Sequence, residues 1–383
     1  MTSTSFTDSS IGGRIRYARE SLNMSQASLG EILDIDRSAV ARLEQGKRKV
    51  SASELASLTT ALRRSFTWFL ESDAPTPAVR RAALSEGASP AFKRMHEELI
   101  VATRWLQRHD LLQISPTEVI PFPQNHAAAE EAASHARALA GLGATPLVSL
   151  SSFVERFGLL AFSFSFPDSG FDGSLSDAEG GNPRFGVALI NGEQPPGRRR
   201  FTLAHEFGHW LFGDPTDLHG STVTGPQTAA SREKLIDAFA AHLLLPRDGV
   251  TTRWRALKRL HGDRDAALSI SAEFRTSWTA TLGQLSTLGL LDHRTTSRLG
   301  NSTPRLGDFE VLGLSPVSEL DPPELAPGYR TSVLRAYRER RITTDKSLDL
   351  LFNTLSPDDL PERPEAPRAR RSRSHLRPAN GRG

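Results

Sequence analysis

No cysteine occurs among the 383 residues. Disulfides and thiolate ligands are therefore excluded, and any metal site must be built from histidine and carboxylate. Tyrosine is also scarce, at three residues, and none lies near the histidine motif described below. No apolar run approaches the length of a membrane span, and the first ten residues, MTSTSFTDSS, lack the apolar centre of a signal peptide. These features lead us to expect a soluble cytoplasmic protein with no membrane partner. An excess of one charge is missing too: 47 Lys and Arg stand against 44 Asp and Glu, a net +3. Affinity for nucleic acid cannot be read from that balance, so the distribution of charge must decide. Hydrophobic content of 38% and charged content of 24% are ordinary for globular chains, in a length that suits two or three domains.

Residues 11–72 carry apolar positions at three- and four-residue steps (Ile15, Leu22, Leu29, Leu33, Val40, Leu43, Leu55, Leu58, Leu62), the periodicity of packed helices. Residues 73–92 (SDAPTPAVRRAALSEGASPA) read as a linker, and 93–112 as a connecting helix. Another helix is expected over 130–142. The short apolar runs GLLAFSFSFP (158–167) and FGVALIN (185–191), bounded by Gly, Pro and Asn, suggest strands. Helix returns over 199–212 and 231–245, across ALSISAEFRTSWTATLGQLSTLGLL, and over 329–355. The tail from Pro361 to Gly383 holds seven arginines and two glutamates and reads as disordered and cationic, a solubilising end or a nonspecific nucleic-acid binder. The expected fold class is mostly α with a small β-sheet (α+β).

In the first segment a helix over 11–22 precedes one capped by Ser25 and running to Leu33. A turn at 34–36 leads to a helix from Arg37 to Gln45, ended by Gly46, with further helices over 52–62 and 65–71. Two short helices joined by a tight turn are the unit that lays its second helix in the major groove. Arg37, Ser38 and Arg42 lie on that helix, and GKRK (46–49) follows with charge suited to phosphates. A helical bundle with merely solvated cations shares the same periodicity. SQASLGEILDIDRSAVARLEQGKR resembles the XRE, lambda-repressor/Cro-like helix-turn-helix family. That resemblance implies contact with double-stranded DNA through Gln26, Arg37, Ser38 and Arg42, with Lys47 beside them.

The stretch FTLAHEFGHW (201–210) places His205 and His209 four apart. On a helix these stack one above the other, so both rings can reach one zinc ion. Glu206 sits to one side, placed to polarise a water rather than to ligate. Downstream, SREKLIDAFAAHLLLP carries Glu233 as a third ligand candidate. Asp237, one turn on, is placed to accept a hydrogen bond from the far nitrogen of a ligating histidine. Solvated residues on a polar helix face are the plainer alternative. His242 lies nine residues from Glu233, on the opposite side of its helix, and His219 is expected in a solvated loop. The run at 185–191 could be an edge strand that holds extended substrate, or an ordinary sheet strand.

RRRFTLAHEFGHWLF followed by EKLIDAFAAHLLLP resembles the ImmA/IrrE family of zinc metallo-endopeptidases over about 145–250, together with RFGVALING and Asp172-Gly173. Ile236 and Asp237 depart from the alanine and asparagine usual in that family, and neither change removes a ligand. The resemblance implies Zn2+ on His205, His209 and Glu233, with Glu206 as the catalytic base. It also implies a winged-helix-like region over 270–292 that either serves a role of its own or only packs on the peptidase. The expected organisation is a helix-turn-helix domain over 11–72, linker and connecting helix over 73–125, metallopeptidase over 126–300, a helical region over 301–360 and the basic tail over 361–383. The expected partners are double-stranded DNA, a protein substrate of the repressor kind, and a second copy of the chain. The leading reading is a regulatory protease. The alternative is a DNA-binding transcription regulator whose metal site is sensory or vestigial.

Overall fold

The computed structural model describes residues 11–70, 89–167, 170, 172–178, 184–213, 228–315 and 318–364. Most of the linker, His219 and residues 365–383 of the tail lie outside them. The chain divides into two compact units, 1–332 and 333–383.

The first five helices are α1 (Ile11–Ser21), α2 (Gln26–Leu33), α3 (Arg37–Glu44), α4 (Ala52–Ala61) and α5 (Phe66–Leu70). Ser25 caps α2 by accepting from the Ser28 amide, and Asp36 caps α3 by accepting from the Ala39 amide. Between them Asp34 takes the left-handed conformation (φ 55°) that ends α2. Ile15, Leu29, Val40, Leu58, Leu62 and Trp68 close the core of this bundle.

Helix α6 (Pro90–Arg108) begins three residues earlier than the expected connecting helix. Ser89 caps it and Pro90 opens it, which is a start signal even though Ser-Pro in isolation reads as linker. Then come α7 (His126–Leu139), α8 (Leu150–Glu155) and the strands β1 (Leu159–Phe164), β2 (Gly173–Ala178) and β3 (Phe185–Asn191). β3 is central: it runs parallel to β1 and antiparallel to β2. This corrects the edge-strand reading of 185–191. Among the described residues the unpaired edge belongs to β2, whose sequence GSLSDA is too polar to announce a strand. The outer side of β1 is bridged instead, through paired Ser163–Glu324 backbone bonds of 2.9 Å each.

Of two long helices, α9 (Pro196–Phe212) packs on the sheet and α10 (Ala229–Leu244) packs on α9, with α7 against α10. Phe207, Trp210, Phe239 and Leu243 lie fully inside the core that results. α11 (Arg247–Lys258), α12 (Asp263–Phe274), α13 (Trp278–Thr287), α14 (His293–Gly300) and α15 (Leu306–Val311) follow. Residues 263–311 contain no strand, so the expected winged-helix-like end has no wing. α12 and α13 form a helical pair joined at Arg275 (φ 58°) and capped by Ser277. The last helices are α16 (Pro327–Arg338), which crosses into the second unit, and α17 (Thr344–Leu350). Within the second unit Arg363 lies 3.8 Å over the Tyr337 ring and donates to the Ile342 carbonyl.

Candidate metal centre

Three arginines in a row fix the start of α9, each with its own carboxylate partner. Arg198 pairs with Asp172 at 2.7 Å; Arg199 donates to the Gly192 carbonyl and pairs with Asp321; Arg200 donates to the Leu147 carbonyl and pairs with Glu319. Glu319 in turn accepts from the Leu150 and Ser151 amides at the start of α8. At the other end Gly213 (φ 56°) stops the helix and Trp210 Nε1 donates to the Phe157 carbonyl. The face carrying His205 and His209 thus has little freedom to rotate.

α10 approaches that face at Gly208. A Cβ there would stand 3.0 Å from Phe239 and 3.2 Å from Ile236, closer than side chains normally pack. The glycine between the histidines therefore lets α10 bring Glu233 in. His205 Nε2 and His209 Nε2 are 3.1 Å apart, and Glu233 Oε2 lies 3.2 Å from the first and 3.6 Å from the second. Two donors bound tetrahedrally at about 2.0–2.1 Å from one ion stand about 3.3–3.4 Å from each other. The three atoms match that spacing. Asp237 Oδ1 lies 2.9 Å from His205 Nδ1 and accepts its proton, which turns Nε2 toward the triangle.

The electrostatics follow from this crowding. Burial pulls the His205 imidazole down, but the Asp237 and Glu233 carboxylates outweigh it and lift the group to about 10. Hydrogen bonds from His205 and His209 hold Glu233 far below the usual carboxylate range. Glu206, only 3% exposed, is pushed up, chiefly by burial, against the lowering pull of the two histidines. Its Oε2 is buried with no hydrogen-bond partner among the described residues. An orphaned carboxylate oxygen beside a triangle of donors is a place for a proton-sharing water.

His242 stands apart. Its Nδ1 lies 3.1 Å from the amide nitrogen of Gln284 on α13, and Nε2 lies 3.7 Å from Glu130 on α7. It ties helices together on the far side of α10.

On the helix-turn-helix domain, Arg37, Ser38, Arg42 and Lys47 are exposed. Ser38 Oγ donates to the capping Asp36. Gln26 is half-buried and donates to Glu44 at 2.7 Å, on the carboxylate that also holds Arg19 at 2.6 Å. Its amide is thus partly spent inside the domain. No signal in the sequence pointed to the docking of this domain on α6, or to His96, which that helix carries into the sheet.

Comparison with known proteins agrees with the geometry. Residues 154–286 match the model of the IrrE N-terminal-like domain (Peptidase M78), the stretch that contains α9, α10 and the donor triangle. Residues 15–69 match the helix-turn-helix family. The chain carries an IrrE-like domain behind a helix-turn-helix domain. Among curated proteins it is 38% identical over 74 residues to the HTH-type transcriptional regulator DicA of Escherichia coli, covering 18% of this chain and 55% of that protein. It is 40% identical over 68 residues to an uncharacterized HTH-type transcriptional regulator of Sinorhizobium medicae, covering 18% and 48%. The chain spans about half the length of the curated relatives it matches. No helix is long and apolar enough to cross a membrane among the described residues.

Proposed function

We propose that this chain is a zinc-dependent endopeptidase joined to a DNA-binding domain, a regulatory protease that cleaves a transcriptional repressor or similar protein. The observation that carries the reading is the donor triangle of His205, His209 and Glu233 with the orphaned Glu206 carboxylate beside it. His205, His209 and Glu233 would hold the ion, and Asp237 would fix the His205 tautomer. Zinc, when bound, supplies Lewis-acid activation of water and of the scissile carbonyl. Glu206 takes the proton of the attacking water and returns it to the leaving amine. The free edge of β2 aligns an extended peptide by backbone hydrogen bonds. Arg37, Ser38, Arg42 and Lys47 face double-stranded DNA, the arginines and lysine neutralising phosphate and the groove-facing side chains reading bases.

The test replaces Glu206 with Gln and follows two quantities. Zinc content should stay at one per chain while hydrolysis of labelled casein, and of the natural partner in cells, stops. Retained hydrolysis would refute the assigned base. A second reading, a transcription regulator that uses the metal site as a sensor, is favoured by the names of the curated relatives, all HTH-type transcriptional regulators. It forecasts zinc binding with no hydrolysis by the unaltered chain and a zinc-dependent change in DNA affinity.

A further inference from the structure

Helix α6 faces two ways within three residues. His96, 1% exposed, reaches into the sheet, where its Nε2 lies 3.1 Å from the Val187 carbonyl on β3 and its Nδ1 lies 2.8 Å from Ser174 Oγ on β2. A carbonyl can only accept, so the ring proton sits on Nε2, and Nδ1 accepts the Ser174 hydroxyl proton. His96 therefore pins the edge strand to its neighbour. Positions 97 and 98 follow at about 100° and 200° around the helix and turn toward the helix-turn-helix domain. Glu97 accepts from the Tyr17 hydroxyl at 2.6 Å and pairs with Arg64 at 2.6 Å. Glu98 accepts from the Ser65 amide and hydroxyl. The Arg64 guanidinium lies 4.4 Å over the Trp68 ring. Glu97, Glu98 and Arg64 are all buried. The two domains are thus joined by a buried polar seam as well as by the covalent chain.

β2 also packs against α9, the helix that carries the histidine pair. A Cβ on Gly173 would stand 2.7 Å from Thr202, which lies one turn before His205 on α9. The strand that His96 pins is the strand that packs on α9, the helix that carries His205 and His209.

We propose that α6 is a mechanical link between the helix-turn-helix domain and the substrate edge, with His96 and Ser174 as positioning residues that hold β2 ready for an extended polypeptide. The proposal rests on the peptidase reading for its substrate and on the seam alone for its mechanics. Loosening the seam at Glu97 frees α6, releases β2 and weakens peptide binding without touching the ion or Glu206.

The test uses the full zinc-loaded chain with labelled casein as the polypeptide probe, and hydrogen exchange of residues 173–178 as a readout independent of activity. Ser174→Ala should raise KM at least fivefold with kcat within twofold and zinc content unchanged. Glu97→Gln, which touches nothing in the sheet, should raise KM in the same direction and speed exchange of 173–178 at least threefold. His96→Gln, able to donate and accept in the same places, should restore most of what His96→Leu loses. If Glu97→Gln proves unstable, Tyr17→Phe removes one bond of the seam and is expected to give the smaller shift of the same sign. Unchanged exchange of 173–178 in the seam variants would overturn the link. A wild-type chain that leaves casein intact would instead overturn the peptidase reading, and exchange would then decide the link by itself.

Discussion

Asp237 offers a measurement in which hydrogen bonding and charge separate. Its Oδ1 lies 2.9 Å from His205 Nδ1, and the side chain is 54% exposed. Removing the acceptor with Asp237→Ala leaves the imidazole free to turn and to adopt the other tautomer. Losses of this kind cost about 10–100-fold in metal affinity, or about 1.4–2.8 kcal/mol. Asp237→Asn keeps an oxygen in place and removes only the charge. Solvent on the exposed side screens much of that charge, so the Asn variant should lose less than about tenfold. The assay is competition for zinc against a fluorescent chelator at pH 7.5, with thermal melts of the metal-free chains as a control for folding. The expected order is wild type, then Asn, then Ala, with melts that differ little, because the residue is exposed. Zinc binding by Asp237→Ala within twofold of wild type would refute the argument that this carboxylate orients His205.

Glu233→Ala should abolish stoichiometric zinc by metal analysis, because two histidines alone leave the site without its anionic donor; full occupancy would sink the ligand set. Gly208→Val should destabilise the fold by about 1–3 kcal/mol, since even its first carbon meets Phe239 and Ile236 at 3.0–3.2 Å, and zinc affinity should fall with it as α10 is pushed away; unfolding by urea checks the first effect and chelator competition the second. Reversing Arg37 and Arg42 to Glu should remove retention of a genomic DNA fragment, and wild-type retention should weaken as salt rises; salt-independent binding would count against a phosphate interface. Burial lowers the His96 imidazole from 6.5 to about 4. The unfolded chain therefore binds the extra proton first, and stability should decline as pH falls from about 6.5 toward 4, by on the order of 3 kcal/mol. His96→Gln should flatten that slope in urea titrations at a series of pH values.

The parts of the molecule written in local pattern were legible in its sequence. The helix-turn-helix segment carries its own punctuation: Ser25 and Asp36 as caps and Gly46 after the last helical turn. The stacking of His205 and His209 was legible because helical spacing decides which side chains share a face, whereas Glu233 was expected from a second helix whose approach spacing does not fix. What escaped depends on partners far away in the chain. β2 is a strand because β3 offers it a ladder, whatever the low propensity of GSLSDA. His96 looked like one more residue of a connecting helix, and nothing nearby in sequence says that residues 174 and 187 meet it. RRR at 198–200 was read only as part of a family motif, although each arginine serves a separate anchor. Gln26 was expected on DNA, and its amide is found on Glu44, a contact eighteen residues away.

The salt link between Arg200 and Glu319 has a consequence for where this domain can be cut. The family match stops at residue 286, yet the guanidinium of Arg200 is wholly enclosed, at 0% exposure, and its carboxylate partner lies 33 residues beyond that boundary. A chain trimmed to the matched stretch would leave the Arg200 guanidinium without its counterion and without the Leu147 carbonyl, and would also strip the Glu324 bridge from β1. The region that recognises as a family and the region that folds as a unit are different lengths. Residues 318–326, which no motif marks, belong to the second.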